Sequence, residues 1–113
     1  LTELPRVPRF LRGIISLRGQ VVPVIDVRMR MGLPAVEPTR ASRILIVESG
    51  QRFGLIVDRV AKVVRLTHAQ VESAPMAGSG SEFLAEVARA DDDLIALLDV
   101  AALTRLSLEG AGR

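Results

Sequence analysis

The chain has 113 residues, of which 49% are hydrophobic and only 3% are aromatic, and its formal net charge is +2. This length favours one domain with an aliphatic core, and the absence of cysteine excludes disulfides and thiolate chemistry. No apolar run reaches the roughly 18 residues that predict a membrane-spanning helix, so we expect a cytoplasmic protein without direct membrane insertion.

The first half of the chain predicts two β-hairpins. Residues 12–17 and 21–27 are rich in apolar β-branched side chains, and the tripeptide Arg18-Gly19-Gln20 between them predicts a tight turn because Gly19 accepts a positive φ. Residues 43–48 and 53–58 predict a second hairpin. Between the two hairpins we expect a brief coil and then a proline-containing loop.

The second half predicts shorter elements. Residues 60–66 predict a further strand, and Thr67 to Gln70 has the spacing of a capping box that begins a single turn. Residues 71–81 contain proline and glycine and predict a loop. Residues 83–90 and 94–99 predict a last hairpin, after which Asp99 is expected to cap a terminal helix.

One segment carries most of the information about the protein's family. Residues 13–26 read Gly-Ile-Ile-Ser-Leu-Arg-Gly-Gln-Val-Val-Pro-Val-Ile-Asp. This segment resembles the Gly-Ile-Ile-x-Leu-Arg-Gly-x-Val-Val-Pro-Val-Ile-Asp signature of the CheW-like coupling domains of bacterial chemotaxis. Residues 54–60 resemble the Gly-x-x-Val-Asp-x-Val strand of that family, and residues 94–99 resemble its closing strand.

The resemblance implies an all-β fold of two intertwined SH3-like β-barrels with a short C-terminal helix. Residues 1–113 would then form a single domain, in which residues 1–42 are part of the first barrel, 43–99 form most of the second and 100–108 form the terminal helix. Family members normally begin with two further strands, which are absent ahead of Leu1. We therefore expect either a piece of a longer domain or a strand-swapped or edge-paired homo-oligomer.

The resemblance also implies a function without catalysis or cofactor. It indicates an adaptor that couples the cytoplasmic tips of chemoreceptors to the CheA histidine kinase, whose regulatory domain it binds. A CheW-like regulatory domain of a CheA kinase or of a receiver-fused coupling protein is an alternative. Partner binding is assigned by the resemblance to eight positions: Gly13, Arg18, Arg43, Ile44, Leu45, Gly54, Val60 and Val63.

For the apolar positions of this set, core packing is the competing interpretation, because β-branched strand residues are normally buried. Gly13 and Gly54 could instead permit only a close approach of neighbouring strands. Arg18 could be a solvated turn residue.

The residues that could carry other chemistry are few. His68 is the only histidine and falls in a predicted turn, and the run Asp91-Asp92-Asp93 lacks the spacing of a calcium loop. Asp26 and Asp58 each end an apolar strand, where a carboxylate commonly caps a turn.

A small β-barrel that binds single-stranded nucleic acid is the alternative from another class of function. That binding mode uses aromatic stacking platforms. The chain offers only Phe10, Phe53 and Phe83, with no tyrosine or tryptophan. We therefore expect no nucleic-acid partner.

Overall fold

The fold is known from a computed structural model, which describes residues 8–73, 80–84 and 86–105. The described residues form mainly β-structure in two sheets, with short helical segments between and after the strands. This confirms the expected all-β class with a short helix near the C-terminus. The elements in chain order are β1 (Leu11–Leu17), β2 (Gln20–Asp26), α1 (Val27–Arg30), β3 (Arg43–Ser49), β4 (Gln51–Val57), a 3-10 turn (His68–Gln70), β5 (Val71–Ser73), a second 3-10 turn (Ser81–Phe83), β6 (Glu86–Ala90), β7 (Asp93–Leu97) and α2 (Val100–Leu103).

The first sheet has the strand order β1-β2-β4-β3. The two predicted hairpins, β1–β2 and β3–β4, are both antiparallel and both present. They join through a short parallel contact between β2 and β4, in which Val24 pairs with Gly54 and Asp26 pairs with Ile56. Each outer strand, β1 and β3, pairs with one neighbour within the described part of the chain.

The turn of the β1–β2 hairpin has a backbone that glycine favours. Arg18 has φ +52° and Gly19 has φ +79°, and Leu17 pairs with Gln20 across the turn. Two consecutive residues with positive φ are typical of the type I′ turn, whose twist matches that of the flanking strands. A residue with a side chain rarely adopts this conformation, so Arg18 holds it at a cost to stability.

The second sheet consists of β5, β6 and β7, all antiparallel. The β6–β7 hairpin turns at Asp91 and Asp92, as expected for the acidic run, and Asp91 has φ +54°. Aspartate tolerates this left-handed backbone better than most residues.

Two clusters of buried side chains form the core. The first contains Ile25, Val27, Phe53 and Leu55 and lies against one face of the first sheet. The second contains Phe83, Ala102 and Leu103 and lies between the second 3-10 turn and α2. Met31 packs against both clusters, so it connects the two halves of the core.

Both short helices are capped by an aspartate at the end of a strand. The amide of Met29 donates to Oδ1 of Asp26 at 3.2 Å, and the amide of Ala102 donates to Oδ1 of Asp99 at 3.1 Å. Each carboxylate satisfies a helix amide that lacks a partner within the helix. The predicted caps at Asp26 and Asp99 are confirmed.

Three predicted elements differ in the structure. Residues 60–66 form irregular chain instead of a strand, because no described strand offers them a hydrogen-bonding ladder. Val71–Ser73, predicted as loop, forms β5 because it pairs with β6. The strand predicted at 83–90 begins only at Glu86, since Ser81–Phe83 forms a 3-10 turn.

The terminal helix was predicted over residues 100–108, but it ends at Leu103: Thr104 is its C-cap and Arg105 is not helical. Residues 106–108 lie outside the described residues. The division of residues 1–42 and 43–99 between two barrels stays a prediction. No helix in the described ranges is long and apolar enough to cross a membrane.

Candidate partner-binding surface

Arg18 lies at the tip of the β1–β2 hairpin and is exposed. Its side chain forms no hydrogen bond or ion pair with any other described residue. The backbone beneath it is fixed by the left-handed turn and by the pair of Leu17 with Gln20. A rigid turn therefore presents a permanently charged guanidinium with five N–H donors to solvent.

Gly13 and Gly54 are buried inside the first sheet. Both pair with Val24 on β2, and Gly54 also pairs with Ile46 on β3, so they lie in one row across four strands. A Cβ added to Gly54 would lie 2.8 Å from Cγ2 of Ile44 and 3.3 Å from Cγ2 of Val24. The structure therefore gives Gly54 a packing role, since only a glycine lets these side chains cover the strand.

The edge strand β3 contains three partly exposed apolar residues. Ile44, Leu45 and Ile46 are 42%, 40% and 42% exposed. Neighbouring residues of a strand lie on opposite faces, so Ile44 and Ile46 share the face of Gly54, whereas Leu45 lies beside Leu55 on the other face. The structure therefore does not bring Ile44 and Leu45 onto one surface.

Arg43 begins the same strand and is exposed. Its Nη1 donates to the carbonyl oxygens of Arg40 at 2.7 Å and Ser42 at 2.9 Å. These local bonds orient the guanidinium, and its other N–H donors bond no acceptor among the described residues.

Val60 and Val63 lie in the irregular segment that follows β4. Val60 is 48% exposed and Val63 is 91% exposed. An exposed β-branched residue such as Val63 contributes little to a core, so the alternative that Val63 is a core residue is wrong.

The predicted positions form two groups. Arg18 lies five residues along the chain from Gly13, which corresponds to about 16 Å along a strand. The row of Gly13 and Gly54, the start of β3 and the segment after β4 all lie towards the opposite end of the sheet. The structure does not place Arg18 beside Ile44 or Arg43.

An ion pair that the sequence did not reveal joins α1 to the end of β4. Nη1 of Arg28 lies 3.0 Å from Oδ2 of Asp58, and Nε of Arg28 donates to the carbonyl of Pro34 at 3.0 Å. Arg28 therefore fastens the loop after α1 and the strand end that leads to Val60. Asp58 accepts from this arginine, a role different from the turn cap that was expected.

Arg30 is a second residue that sequence reasoning missed. Its guanidinium carbon lies 4.4 Å from the centre of the Phe10 ring and 4.8 Å from that of Phe83. It donates to the carbonyl oxygens of Leu103, Ala102 and Arg105 at 3.0, 3.1 and 3.2 Å. Burial lowers the pKa of Arg30 below its ordinary value; the charge of Glu82 opposes this shift and that of Arg105 adds to it. An arginine nonetheless stays charged at neutral pH.

The other candidate chemistry finds little support. His68 is exposed in its 3-10 turn, and no three His, Cys, Asp or Glu side chains cluster as metal ligands among the described residues. Phe53 and Phe83 are only 5% and 2% exposed, so neither can stack on a nucleic-acid base without unfolding.

A family model described as the CheW-like domain matches residues 1–107. The chain belongs to the CheW-like domain family. A solved CheW structure has the same architecture: the crystal structure of the scaffolding protein TtCheW from Thermoanaerobacter tengcongensis matches with a TM-score of 0.85 and 35% identity, over 100% of this chain and 76% of that chain. The expected CheW-like fold is thereby confirmed.

Curated CheW proteins are similar over much of the chain. The chemotaxis protein CheW of Bacillus subtilis is 41% identical over 75 residues, which are 66% of this chain and 48% of that protein. The probable chemotaxis protein CheW of Rhizobium etli is 33% identical over 106 residues, which are 90% of this chain and 68% of that protein. The chain thus spans between 48% and 68% of the length of these CheW relatives.

Proposed function

We propose that this chain is an adaptor of bacterial chemotaxis that acts in the cytoplasm by binding and without catalysis. It couples the cytoplasmic tip of a chemoreceptor to the CheA histidine kinase. The observation that carries this proposal is the family match over residues 1–107, which includes the turn that presents Arg18. The relatives named as chemotaxis proteins and the neighbour named as a scaffolding protein support it.

Arg18 is the charged anchor of the receptor contact in this proposal. A guanidinium on a rigid turn loses little conformational freedom of the backbone on binding, and it can form paired hydrogen bonds with a carboxylate. Arginines of this kind are frequent among the residues that dominate interface energies. A carboxylate on a receptor-tip helix is the expected counterpart.

The exposed apolar positions supply a second contact surface in this proposal, at the end of the first sheet opposite Arg18 and on both sides of the β3 edge. Ile44, Leu45, Val60 and Val63 are all at least 40% exposed. Burial of such side chains contributes about 25 cal/mol per Å² of apolar area. Arg43, with its guanidinium oriented by its own loop, would fix the register of the partner at the edge of this surface. Gly13 and Gly54 act indirectly, because they have no side chains and so let Ile44 and its neighbours pack closely over the sheet.

The kinase regulatory domain occupies a different surface in this proposal, so one chain holds both partners at once. Control of kinase activity then follows from the geometry of the assembly. No proton transfer or covalent step is required of the adaptor.

The proposal is tested with purified chain, a receptor-tip helical hairpin and a kinase regulatory domain. We expect titration calorimetry to detect binding of each partner. Arg18→Ala should weaken receptor binding, whereas Arg89→Ala should not, because Arg89 lies on the second sheet with its side chain 73% exposed. Absence of binding to both partners would contradict the proposal. Salt-sensitive binding of a single-stranded oligonucleotide would instead favour the nucleic-acid alternative.

Strand pairing between two copies is proposed as a property of the first sheet. The outer side of β3 has no strand beside it among the described residues, so its backbone N–H and C=O groups can pair with the same strand of a second copy. Light scattering at micromolar concentration should then give twice the monomer mass, and a monomer there would contradict strand pairing without affecting the adaptor proposal.

A further inference from the structure

The two sheets meet at a junction formed by α1 and its neighbours on one side and by α2 and the Ser81–Phe83 turn on the other. The first side belongs to the first sheet: α1 follows β2 directly, and the amide of Asp26 donates to the carbonyl of Phe10 at 2.7 Å. The second side belongs to the second sheet, since the turn leads into β6 and α2 follows β7. The amide of Asp99 donates to the carbonyl of Phe83 at 2.9 Å, which ties α2 to the turn.

Arg30 contacts both sides of this junction at once. Its guanidinium lies over the ring of Phe10, from the first side, and over the ring of Phe83, from the second. Its N–H groups also reach three carbonyl oxygens at the end of α2, at Ala102, Leu103 and Arg105. The last carbonyls of a helix have no partner within the helix, and they carry its partial negative charge. One cation from the first sheet therefore completes the end of a helix from the second.

The geometry is specific to arginine. Contact with the faces of two rings favours a planar cation, and bonds to three separate carbonyls require a fork of several N–H donors. A lysine at this position has a compact ammonium that cannot stack and bond in the same way. The partners of Arg30 are fixed in turn, because Leu103 is fully buried and Phe83 is only 2% exposed.

Two further contacts cross the junction without Arg30. The hydroxyl oxygens of Thr104, after α2, and Ser49, the last residue of β3, lie 2.8 Å apart and share a hydrogen bond. Gly80 has φ +81°, and a Cβ at this position would lie 2.9 Å from the carbonyl oxygen of Met31. Backbone from the second side therefore approaches the end of α1 as closely as glycine allows.

We propose that Arg30 is a positioning residue that fixes the orientation of the second sheet relative to the first, and so the relative placement of two partner surfaces that lie on different sheets. The sheets are folded by their own ladders, and the guanidinium determines how they sit together. The functional part of this inference rests on the proposed adaptor role. Its structural part stands on the contacts of the junction alone.

The chain contains no cysteine, so a pair of spin labels can be placed without altering any native thiol. Ser16→Cys on β1 and Asp92→Cys in the β6–β7 turn are both exposed and lie on opposite sides of the junction. Pulsed electron–electron double resonance (DEER) then measures the distribution of distances between the two spin labels, and so between the two sides of the junction. We expect one narrow distribution in the parent double-cysteine chain.

Arg30→Met, which keeps much of the length of the side chain but has no donors, should at least double the width of that distribution. Arg89→Met is the matched control and should leave it unchanged. Thr104→Val should give a smaller broadening in the same direction. If Arg30→Met does not fold, Arg30→Lys replaces it. A narrow, unshifted distribution in a folded Arg30 variant, with only a lower melting temperature, would overturn the inference.

The functional part of the proposal is tested with the same variants. In Arg30→Met, affinity for the receptor-tip hairpin should stay within about twofold of the parent, because Arg18 and its turn are untouched. Control of kinase activity in the three-component mixture should fall at least tenfold. Equal loss of both readouts would indicate simple unfolding and overturn the inference. If the parent chain binds no receptor tip, the adaptor proposal fails, and the spectroscopic result still decides the role of Arg30.

Discussion

Substitution of Arg18 by asparagine should raise stability and lower receptor affinity at the same time. Arg18 has φ +52°, and a left-handed backbone costs a residue with a side chain roughly 1–2 kcal/mol. Asparagine tolerates this backbone far better than arginine, because its short amide bonds to the local backbone. No described residue contacts the guanidinium through a hydrogen bond or an ion pair, so little stabilisation is lost with it. We expect Arg18→Asn to gain about 0.5–1 kcal/mol.

The expected loss of binding is larger than this gain. A charged anchor near an interface centre contributes about 2 kcal/mol or more when truncated, which corresponds to about 30-fold in the dissociation constant. For a domain of this size, a stability gain of 0.5–1 kcal/mol raises the melting temperature by about 2–6 °C. Urea unfolding measures the first effect, and titration with a receptor-tip hairpin measures the second.

The control is Arg18→Ala, which removes the guanidinium but keeps a Cβ in the left-handed turn. It should lose affinity as Arg18→Asn does and should leave stability within about 0.5 kcal/mol of the parent. Lower stability in Arg18→Asn with unchanged receptor binding would refute the reasoning, because Arg18 would then be a structural residue of the turn.

Two further predictions concern packing and capping. Gly54→Ala should destabilise the chain by about 1–3 kcal/mol in urea unfolding, since its Cβ would lie 2.8 Å from Cγ2 of Ile44. In the double variant, Ile44→Ala should relieve part of that cost. Strict additivity of the two stability changes would show that this contact is not the cause. Asp99→Ala should lower the free energy of unfolding by about 1 kcal/mol, because the amide of Ala102 loses its acceptor. Asp99→Asn can still cap the helix and should keep the stability of the parent. Equal losses of stability in both variants would argue against the cap.

Local rules explain why so much of the first sheet could be predicted. The turn at Gly19 and the two apolar β-branched runs determine the β1–β2 hairpin within 16 residues, and the same reasoning applies to β3 and β4. The caps at Asp26 and Asp99 are also local, because each carboxylate bonds an amide three residues away. The opposite facing of Ile44 and Leu45 follows from the alternation of any strand and was available from the sequence.

Long-range contacts explain what was missed. Residues 60–66 have the β-branched composition of a strand, but a strand also depends on a neighbour, and composition carries no information about that neighbour. The role of Arg30 depends on carbonyls 72 to 75 residues away, so nothing near it in the sequence distinguishes it from a solvated arginine. The parallel contact of β2 with β4 was unpredicted for the same reason.

That parallel contact has a consequence for how the chain reaches its native state. The β1–β2 and β3–β4 hairpins each close over a two-residue or shorter turn, on the microsecond scale of local hairpins. Val24 and Gly54 are 30 residues apart, and their pairing closes a loop that contains α1 and the loop after it. Closing that loop costs chain entropy before the contact repays it. We therefore expect the hairpins to form before they dock, and until they dock the apolar faces of β2 and β4 are both exposed to other chains.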